Sequence, residues 1–295
     1  MPTIEWASVG EPSVAIAMPV RDCEGTIETA IRSILHQSYR HWTLFLMEDG
    51  SRDRTRALAE TYTADARVKV VADGRSLGIT ARLNQAISLS GSHEYFARMD
   101  GDDISYPERL ERQVAMLEGD QRLDVLGSSV LVFGDSGEAL GWRRVPSQHA
   151  EICSRAGSGF HMAHPTWCGR RQWFERFRYD ERAYGCEDQD LLRRSWRSSR
   201  FANLPEILLG YREHGIRLGA TIRTRKSTVC SVARAEGGWT SAATVRATLE
   251  QASKGLAEVV ACALHRDQVV LRRRRLTLPL AAQPRWAEVW RLSHL

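Results

Sequence analysis

The sequence predicts an α/β fold with a mostly parallel sheet flanked by helices, because short apolar runs alternate with segments of helical periodicity. Residues 14–18 form a continuous apolar run, and residues 43–47, 68–71 and 95–99 are mostly apolar, so all four are predicted to be strands. Segments in which apolar residues recur at intervals of three or four lie between and after them. Such alternation favours parallel strands joined by helical crossovers.

Four helices are expected in this region. The second covers about residues 53–62, and the fourth begins near Pro107, since proline is favoured in the first turn of a helix. The apolar positions that define the other faces are, in chain order, Ile27, Ile31, Ile34 and Leu35; Ile79, Leu83, Ala86 and Ile87; and Leu110, Val114 and Leu117.

Length and composition indicate a soluble globular protein of one or two domains. The chain has 295 residues, of which 43% are hydrophobic and 26% charged. No stretch approaches the roughly 20 apolar residues that span a bilayer, and residues 1–12 lack the apolar core of a signal peptide. The six cysteines are scattered without zinc-type pairing, so we expect reduced thiols and a cytoplasmic location.

Charge divides the chain into two parts. Residues 215–295 contain 14 Lys and Arg against 5 Asp and Glu, a net charge of +9, whereas residues 1–214 carry −4. We therefore expect a catalytic domain over 1–214 and a basic, mainly helical extension over 215–295. A polyanionic surface is the expected partner of the extension.

An acidic cluster follows the fourth predicted strand. Residues 98–103 read Arg-Met-Asp-Gly-Asp-Asp, so three carboxylates fall within four positions at the end of a strand. Like charges packed this closely repel one another, and a bound divalent cation removes that cost. Carboxylate oxygens suit Mg²⁺ or Mn²⁺, particularly when substrate phosphates complete the coordination. A solvated acidic turn is the alternative for an isolated cluster of this kind.

Two further polar clusters follow predicted strands, at residues 19–22 and 48–51. Ligands of parallel α/β sheets bind at the carboxyl ends of the strands, so all three clusters should line one crevice. The sequence contains neither G-x-G-x-x-G after the first strand nor a P-loop motif, which removes the main warrant for dinucleotide or P-loop nucleotide binding.

An ordered set of segments resembles glycosyltransferase family two, whose members have the Rossmann-like GT-A fold. The match covers about residues 13–214. Glu48 stands where the family usually has Asp, and residues 21–24 depart from the usual Asn-Glu. The segments that carry the resemblance are 14–20, 48–53, 78–84, 97–110, 164–166, 187–191, 203–208 and 211–214.

The resemblance implies a nucleotide-sugar donor, UDP-linked, and a divalent metal, Mn²⁺ or Mg²⁺. Asp102 would be the direct metal ligand, Asp100 a ligand near the ribose, and His214 a late metal or diphosphate contact. Asp103 would position the donor sugar. Its alternative role is to cap the N-terminus of the helix that begins near Pro107. The donor pocket would also include Pro19, Glu48, Asp49 and Arg82.

Asp188 is the candidate general base for the acceptor hydroxyl, with Glu187 contacting the acceptor or orienting the loop. Acidic residues also favour the first turn of a helix for dipole reasons alone, which is the alternative for both. One base and in-line displacement imply inversion at the anomeric carbon, as the resemblance does. His164 could line the acceptor side, and Trp142, Trp167 and Trp173 could stack on sugars or belong to the core.

The extension combines an arginine run, 272–275, with Trp286 and Trp290. Basic residues with interfacial aromatics fit a helix on an anionic membrane, and packing of that helix against the catalytic domain is the equal alternative. Nucleic-acid binding through the arginine run is a further alternative.

Taken together, the sequence predicts an inverting, metal-dependent glycosyltransferase that acts on a glycan or lipid-linked glycan. A nucleotidyltransferase is the alternative enzyme, and a non-catalytic nucleotide-sugar-binding scaffold is the alternative outside enzymes. The sequence does not indicate an oligomeric state.

Overall fold

The computed structural model describes residues 11–295, so the N-terminal segment assessed for a signal sequence lies largely outside the described residues. Eleven α-helices and nine strands are assigned within 11–295. The strands are β1 Val14–Val20, β2 Trp42–Glu48, β3 Val68–Val71, β4 Tyr95–Arg98, β5 Ile104–Ser105, β6 Val125–Phe133, β7 Ala139–Arg143, β8 Cys168–Arg170 and β9 Phe201–Arg212.

The first seven helices flank the sheet and the last four form the C-terminal extension. Short 3₁₀ segments occur at Thr61–Ala64, His164–Thr166, Glu181–Ala183 and Trp196–Ser198. The helices are α1 Ile27–Leu35, α2 Thr55–Glu60, α3 Ile79–Leu89, α4 Arg109–Gly119, α5 His149–Ile152, α6 Arg171–Phe177, α7 Glu187–Ser195, α8 Leu218–Ala235, α9 Ala242–Ala263, α10 Asp267–Arg272 and α11 Ala282–Leu292.

One nine-stranded sheet organises the fold, with strand order β3-β2-β1-β4-β8-β6-β9-β5 and β7 paired with β6. The four strands predicted from the apolar runs form its parallel half, β3-β2-β1-β4. Antiparallel pairing begins where β4 meets β8, and β6 and β9 are again parallel. The predicted α/β architecture with a parallel nucleotide-binding-type half is therefore confirmed.

The period-two alternation of β1 separates two cores on opposite faces of the sheet. Val14, Ile16 and Met18 pack with α1 and α4 on one face. Ala15 and Ala17 pack with α3, α6 and α7 on the other, where the small alanines leave room for large aromatic residues. Trp167 and Trp173 are buried in this second core, at 0% and 4% exposure, so the core alternative holds for both.

The extension is helical, as predicted, but its last helix is part of a third core cluster. Trp286 is 4% exposed and lies against Phe133 of β6, with ring centroids 4.9 Å apart. Its indole N–H donates to the carbonyl of Gly137 over 2.8 Å. Trp290 packs against the same Phe133 ring, at 5.7 Å.

Of the two alternatives for Trp286 and Trp290, the structure shows packing against the catalytic domain. Both indoles are used in packing against β6, because Phe133 and Tyr106 leave an apolar surface that α11 covers. Trp142 joins the extension as well, since its indole N–H donates to the carbonyl of Thr277 and its backbone pairs with Leu276.

Two of the four arginines in the run form ion pairs within the protein. Arg274 forms an ion pair with Glu258, and Arg275 pairs with Glu213 at 2.7 Å. Arg272 and Arg273 stay exposed. Within the part of the chain that the structure describes, no helix combines the length and the apolar character needed to cross a bilayer.

Replacing Trp286 with alanine should destabilise the whole protein, because the indole is buried between α11 and β6. We expect the free energy of unfolding to fall by about 3–5 kcal/mol, as for other buried tryptophans. Trp239→Ala is the matched control, since Trp239 is 65% exposed, and it should change stability by less than about 0.5 kcal/mol. Urea unfolding followed by circular dichroism measures both. Equal losses in the two variants would contradict the packing of α11.

Candidate active site

The carboxyl ends of β1, β2 and β4 meet at one edge of the sheet, as the sequence predicts. In the strand register Val20 lies opposite Glu48, and Ala17 lies opposite Arg98. Hydrogen bonds continue beyond the strands, since the Asp49 N–H donates to the carbonyl of Val20 over 3.0 Å. The polar segments that follow the three strands are thereby brought side by side.

The acidic cluster is compact. Asp100, Asp102 and Asp103 each offer an oxygen, and these three atoms lie within 4.8 Å of one another. Gly101 permits this turn to approach β1, because a Cβ at that position would lie 2.8 Å from Cγ1 of Val20. A side chain there would push the acidic turn away from the sheet edge.

Asp103 is the most enclosed of the three acids, at 1% exposure. Its Oδ1 accepts the backbone N–H of Arg212 over 3.0 Å, while its Oδ2 is buried without a hydrogen-bond partner. Burial, followed by the charges of Asp102 and Asp100, raises the pKa of Asp103 well above its usual value. An orphaned buried carboxylate oxygen beside two further carboxylates fits a site for a divalent cation.

Asp100 is paired with Arg98, a buried guanidinium two residues earlier. Nη1 of Arg98 donates to Oδ2 of Asp100 over 2.7 Å, and Nη2 donates to Oδ1. Burial nevertheless raises the pKa of Asp100, and the charge of Arg98 offsets only part of this effect. Asp100 therefore shares its oxygens between a fixed cation and any metal.

His214 lies beside Asp102, although the two are more than 100 residues apart in the chain. Its Nε2 is 2.8 Å from Oδ2 of Asp102, and this hydrogen bond raises the pKa of His214. Strand β9 holds the pair together, because Nε of Arg212 donates to the backbone carbonyl of Asp102 over 3.0 Å.

Asp49 and Arg82 form a second polar centre at the sheet edge. Arg82 is fully buried, and its Nε donates to Oδ1 of Asp49 over 3.0 Å. The Asp49 carboxylate also accepts the backbone N–H groups of Leu77 and Gly78, at 2.6 and 3.0 Å. Gly78 adopts a positive φ of 90°, which favours glycine and turns its N–H toward this carboxylate.

The remaining donor-side residues predicted from the sequence lie close to this centre. Glu48 is 2% exposed at the end of β2 and accepts the backbone N–H of Ser51. Pro19 lies within β1, opposite Met47 in the register. Arg82, by contrast, also donates to Asp73 and Gln85, so its charge is balanced within the protein.

Glu187 and Asp188 begin α7, as predicted. Oε2 of Glu187 accepts the N–H of Gly185 over 2.9 Å, and burial, followed by the charge of Asp188, raises the pKa of Glu187 to about 7. Asp188 is only partly buried, and it accepts a hydrogen bond from Nε2 of Gln189. Its charge contributes to the raised pKa of Asp100, so the two acidic groups face a common space.

Arg98 is the site residue that sequence reasoning missed. Its side chain is 4% exposed, and its charge acts on the pKa values of Asp100 and Glu187 and on that of His164. The available signal was a basic residue placed directly before the acidic cluster at the end of an apolar strand. A buried cation there lets several acids share one crevice.

His164 belongs to the core below this cation. It is 8% exposed, its Nε2 lies 2.8 Å from the hydroxyl of Tyr179, and its ring packs on Trp167. Burial and the charge of Arg98 lower the pKa of His164 well below its usual value. It therefore supports the floor of the site as a neutral group.

Two cavities adjoin the acidic groups. One of about 410 Å³ lies beside His214 and is lined by Arg143, Tyr211, Arg217 and Glu258 among others. A smaller one of about 160 Å³ lies beside Glu187 and Tyr184. Ala220 and Thr224 of α8 line both, so the N-terminal half of α8 separates them.

A nucleotide-binding-type parallel half-sheet, an acidic cluster after β4 and an acidic pair at the start of α7 together define the GT-A class of fold. Comparison with known proteins agrees. Residues 15–178 match the family described as glycosyl transferase family 2. The chain is 36% identical over 208 residues to "Putative glycosyltransferase EpsE" of Bacillus subtilis (strain 168), covering 68% of this chain and 73% of that protein. The chain belongs to glycosyl transferase family 2.

Solved structures share the fold at low sequence identity. S. aureus TarS 1-349 in complex with UDP-GlcNAc superposes with a TM-score of 0.60 at 16% identity, covering 94% of this chain and 79% of that one. The mannosyltransferase PcManGT of Pyrobaculum calidifontis, in complex with GDP-Man and Mn2+, gives a TM-score of 0.58 at 15% identity, covering 96% and 85%. The protein is a glycosyltransferase, and the nucleotidyltransferase and scaffold alternatives are set aside.

The raised pKa of Glu187 predicts a pH-dependent stability. Its pKa is about 7 in the folded protein against an ordinary value of 4.5, so the folded state holds the proton more tightly. Stability is therefore lost as the pH rises from about 4.5 through 7, and it stays lower above that. We expect Glu187→Gln, which keeps an oxygen for the Gly185 N–H, to gain in Tm relative to the wild type between about pH 5 and pH 8.

Scanning calorimetry in EDTA measures this gain. Glu181→Gln is the control, because Glu181 is exposed six residues earlier, and its Tm difference from the wild type should not change with pH. A Glu187→Gln difference that is the same at both pH values would show that Glu187 is ionised at low pH in the folded protein.

Proposed function

We propose that this protein is an inverting, metal-dependent glycosyltransferase that uses a UDP-linked sugar. The observation that carries the proposal is the juxtaposition of a three-carboxylate cluster with an acidic pair at a helix start, around the buried Arg98. The first group suits a metal–diphosphate complex, and the second suits proton removal from an acceptor.

Asp102, Asp103 and His214 are the proposed ligands of Mn²⁺ or Mg²⁺. Asp100 is a further proposed ligand, although both of its oxygens also accept hydrogen bonds from Arg98. The orphaned oxygen of Asp103 and the mutual repulsion of the acids support this set. When bound, the metal supplies Lewis-acid stabilisation of the negative charge that develops on the leaving diphosphate. A His214 contact to the diphosphate is compatible with its exposed position at the end of β9.

Asp49 is the proposed contact to the nucleotide base. Its Oδ1 accepts from Leu77 N–H and Arg82, and the Gly78 N–H is shared between both oxygens. Among the described residues, Oδ2 has only one further donor, the Ser76 hydroxyl at 3.4 Å, and can accept an imide N–H. Uracil offers such a group and cytosine does not. We assign Arg82 the role of fixing Asp49 and the 73–78 loop, because its guanidinium is buried and already paired. The UDP-GlcNAc complex of the TarS neighbour supports UDP as the nucleotide.

Asp188 is the proposed general base. It is partly exposed at the site, whereas Glu187 is enclosed and oriented by the Gly185 N–H. A single base that acts from the side opposite the leaving diphosphate gives inversion at the anomeric carbon. Glu187 would then set the charge and position of the loop at the start of α7.

The acceptor is proposed to be a glycan or a lipid-linked glycan that enters along the N-terminal half of α8. The cavities on both sides of this segment adjoin His214 and Glu187, so an acceptor there reaches both acidic groups. We propose a cytoplasmic location, since the six cysteines are free thiols and such thiols persist in reducing compartments.

Asp102→Asn should remove most of the metal-dependent stabilisation by UDP. We expect UDP with Mn²⁺ to raise the Tm of the wild type and UDP in EDTA to leave it unchanged, because Asp102 and Asp103 would hold the metal and the metal would supply charge stabilisation to the diphosphate. Asp120→Asn, at a surface acid paired with Arg122, is the control and should respond like the wild type. Equal stabilisation by UDP in excess EDTA would contradict metal dependence.

Asp188→Asn should lower turnover by roughly 10²-fold or more while donor affinity stays near that of the wild type, because the lost interaction belongs to the transition state. Release of UDP in the presence of acceptor measures turnover, and calorimetric titration measures donor binding. Glu181→Gln is again the exposed control. Near-normal turnover in Asp188→Asn, with a large loss in Glu187→Gln, would transfer the role of base to Glu187.

A further inference from the structure

Helix α9 has its polar side inside and its apolar side outside. The residues that it buries include Thr244, Gln251 and Glu258. Nε of Arg225 on α8 donates to Glu258 over 3.0 Å, and Nη1 donates to Gln251 over 2.8 Å, so this buried face is held by hydrogen bonds and an ion pair. An amphipathic helix on a protein surface normally has the opposite arrangement.

The outward face of α9 is a continuous apolar stripe. At 100° per residue its members fall within an arc of about 100°, and they extend over about 27 Å of helix. Exposure is high at the centre of the stripe, with 68% for Leu249 and 65% for Leu256. The members of this outward face are Val245, Leu249, Ala252, Leu256, Val259, Val260 and Ala263, all exposed. Contiguous exposed apolar surface of this kind marks an interaction site.

Exposed basic residues flank the stripe near both ends of the helix. Arg246 lies on α9 itself, and Arg266 follows the helix directly; both are exposed. Arg272 and Arg273 lie at the end of α10, which packs on α9. A second copy of this chain would bring the same positive charges together, since residues 215–295 carry a net charge of +9. An anionic partner with an apolar interior fits both features.

We propose that the outward face of α9 docks on an anionic lipid bilayer. The seven apolar side chains enter the boundary between headgroups and acyl chains, and the flanking arginines contact the anionic headgroups. In this proposal the outward face of α9, and not Trp286 or Trp290, makes the membrane contact, because both tryptophans are packed against β6. The partner class is the one expected from the charge asymmetry of the sequence, and the proposed contact lies nearer the middle of the extension.

Docking on α9 has a consequence that rests on the proposed function. Glu258, on the inner face of α9, lines the 410 Å³ cavity beside His214. The helix that meets the bilayer is therefore a wall of the space proposed for the acceptor. A lipid-linked acceptor held in the same bilayer would have its glycan delivered next to the acidic cluster.

Vesicle sedimentation tests the proposal with the full chain. We expect the wild type to sediment with vesicles of phosphatidylglycerol and phosphatidylcholine, to stay in solution with phosphatidylcholine alone, and to bind less at high salt. The double variant Leu249→Asn/Leu256→Asn should bind anionic vesicles at least about 10-fold more weakly than the wild type, because two apolar side chains are removed from the interface.

The matched control is Leu89→Asn/Met116→Asn, which removes two exposed apolar side chains on α3 and α4, at 46% and 42% exposure, and should bind like the wild type. Both variants should keep the wild-type Tm and the UDP response, so that loss of folding or of donor binding is recognised separately. Equal sedimentation of both double variants would overturn the proposal, as would a wild type that ignores anionic vesicles. A wild-type dimer by light scattering that Leu249→Asn/Leu256→Asn converts to a monomer, without vesicle binding, would assign the stripe to a second copy and overturn it as well.

Discussion

The ion pair between Arg98 and Asp100 is the interaction on which the rest of the site depends. Five acids lie around one buried guanidinium: Asp100, Asp102, Asp103, Glu187 and Asp188. Burial of so many carboxylates would otherwise keep them protonated, as the raised pKa values of Asp103 and Glu187 indicate. The guanidinium of Arg98 offsets part of this cost. The negative charge that remains could be balanced by a second positive charge, such as a bound cation. In the proposed function, a divalent cation that arrives with the donor would supply this second charge.

The same constraint explains why the site is assembled from distant segments. The β4 turn supplies the acids, β9 clamps them through Arg212, and α7 supplies the opposite carboxylates. His164 and Tyr179 form a buried, hydrogen-bonded floor that needs no charge of its own. The parallel half of the sheet positions the residues of the proposed donor side, and the antiparallel half brings β9 close enough for His214 to reach Asp102.

The nucleotide-binding half was predictable because its signals are local. Strands β1, β2 and β4 are buried and mostly apolar, and a polar cluster follows the end of each. The position of Asp49, Asp100 and Asp102 on one edge therefore follows from topology alone. The pairing of Asp102 with His214 needed the family resemblance, since no local pattern relates residues 112 positions apart. The role of Arg98 was missed because the groups that act on its guanidinium include Tyr179 and Glu187, which lie far along the chain from it.

The extension was harder to predict for a different reason. Periodicity identifies amphipathic helices, but it does not say which face turns inward. In α11 the tryptophans face the body because β6 offers the apolar rings of Phe133 and Tyr106. In α9 the buried ion pair of Glu258 with Arg225 turns the polar face inward and leaves Leu249 and Leu256 in solvent. Only the partners available in the folded chain decide between these outcomes.

Titration of Mn²⁺ into the protein with saturating UDP, followed by electron paramagnetic resonance, tests the central claim most directly, because free and bound Mn²⁺ give different signals. If the acidic cluster around Arg98 is a metal–diphosphate site, the wild type will remove one Mn²⁺ per chain from the free signal, and UDP will tighten this binding. An unchanged free Mn²⁺ signal at all protein concentrations, with UDP demonstrably bound, would contradict the account.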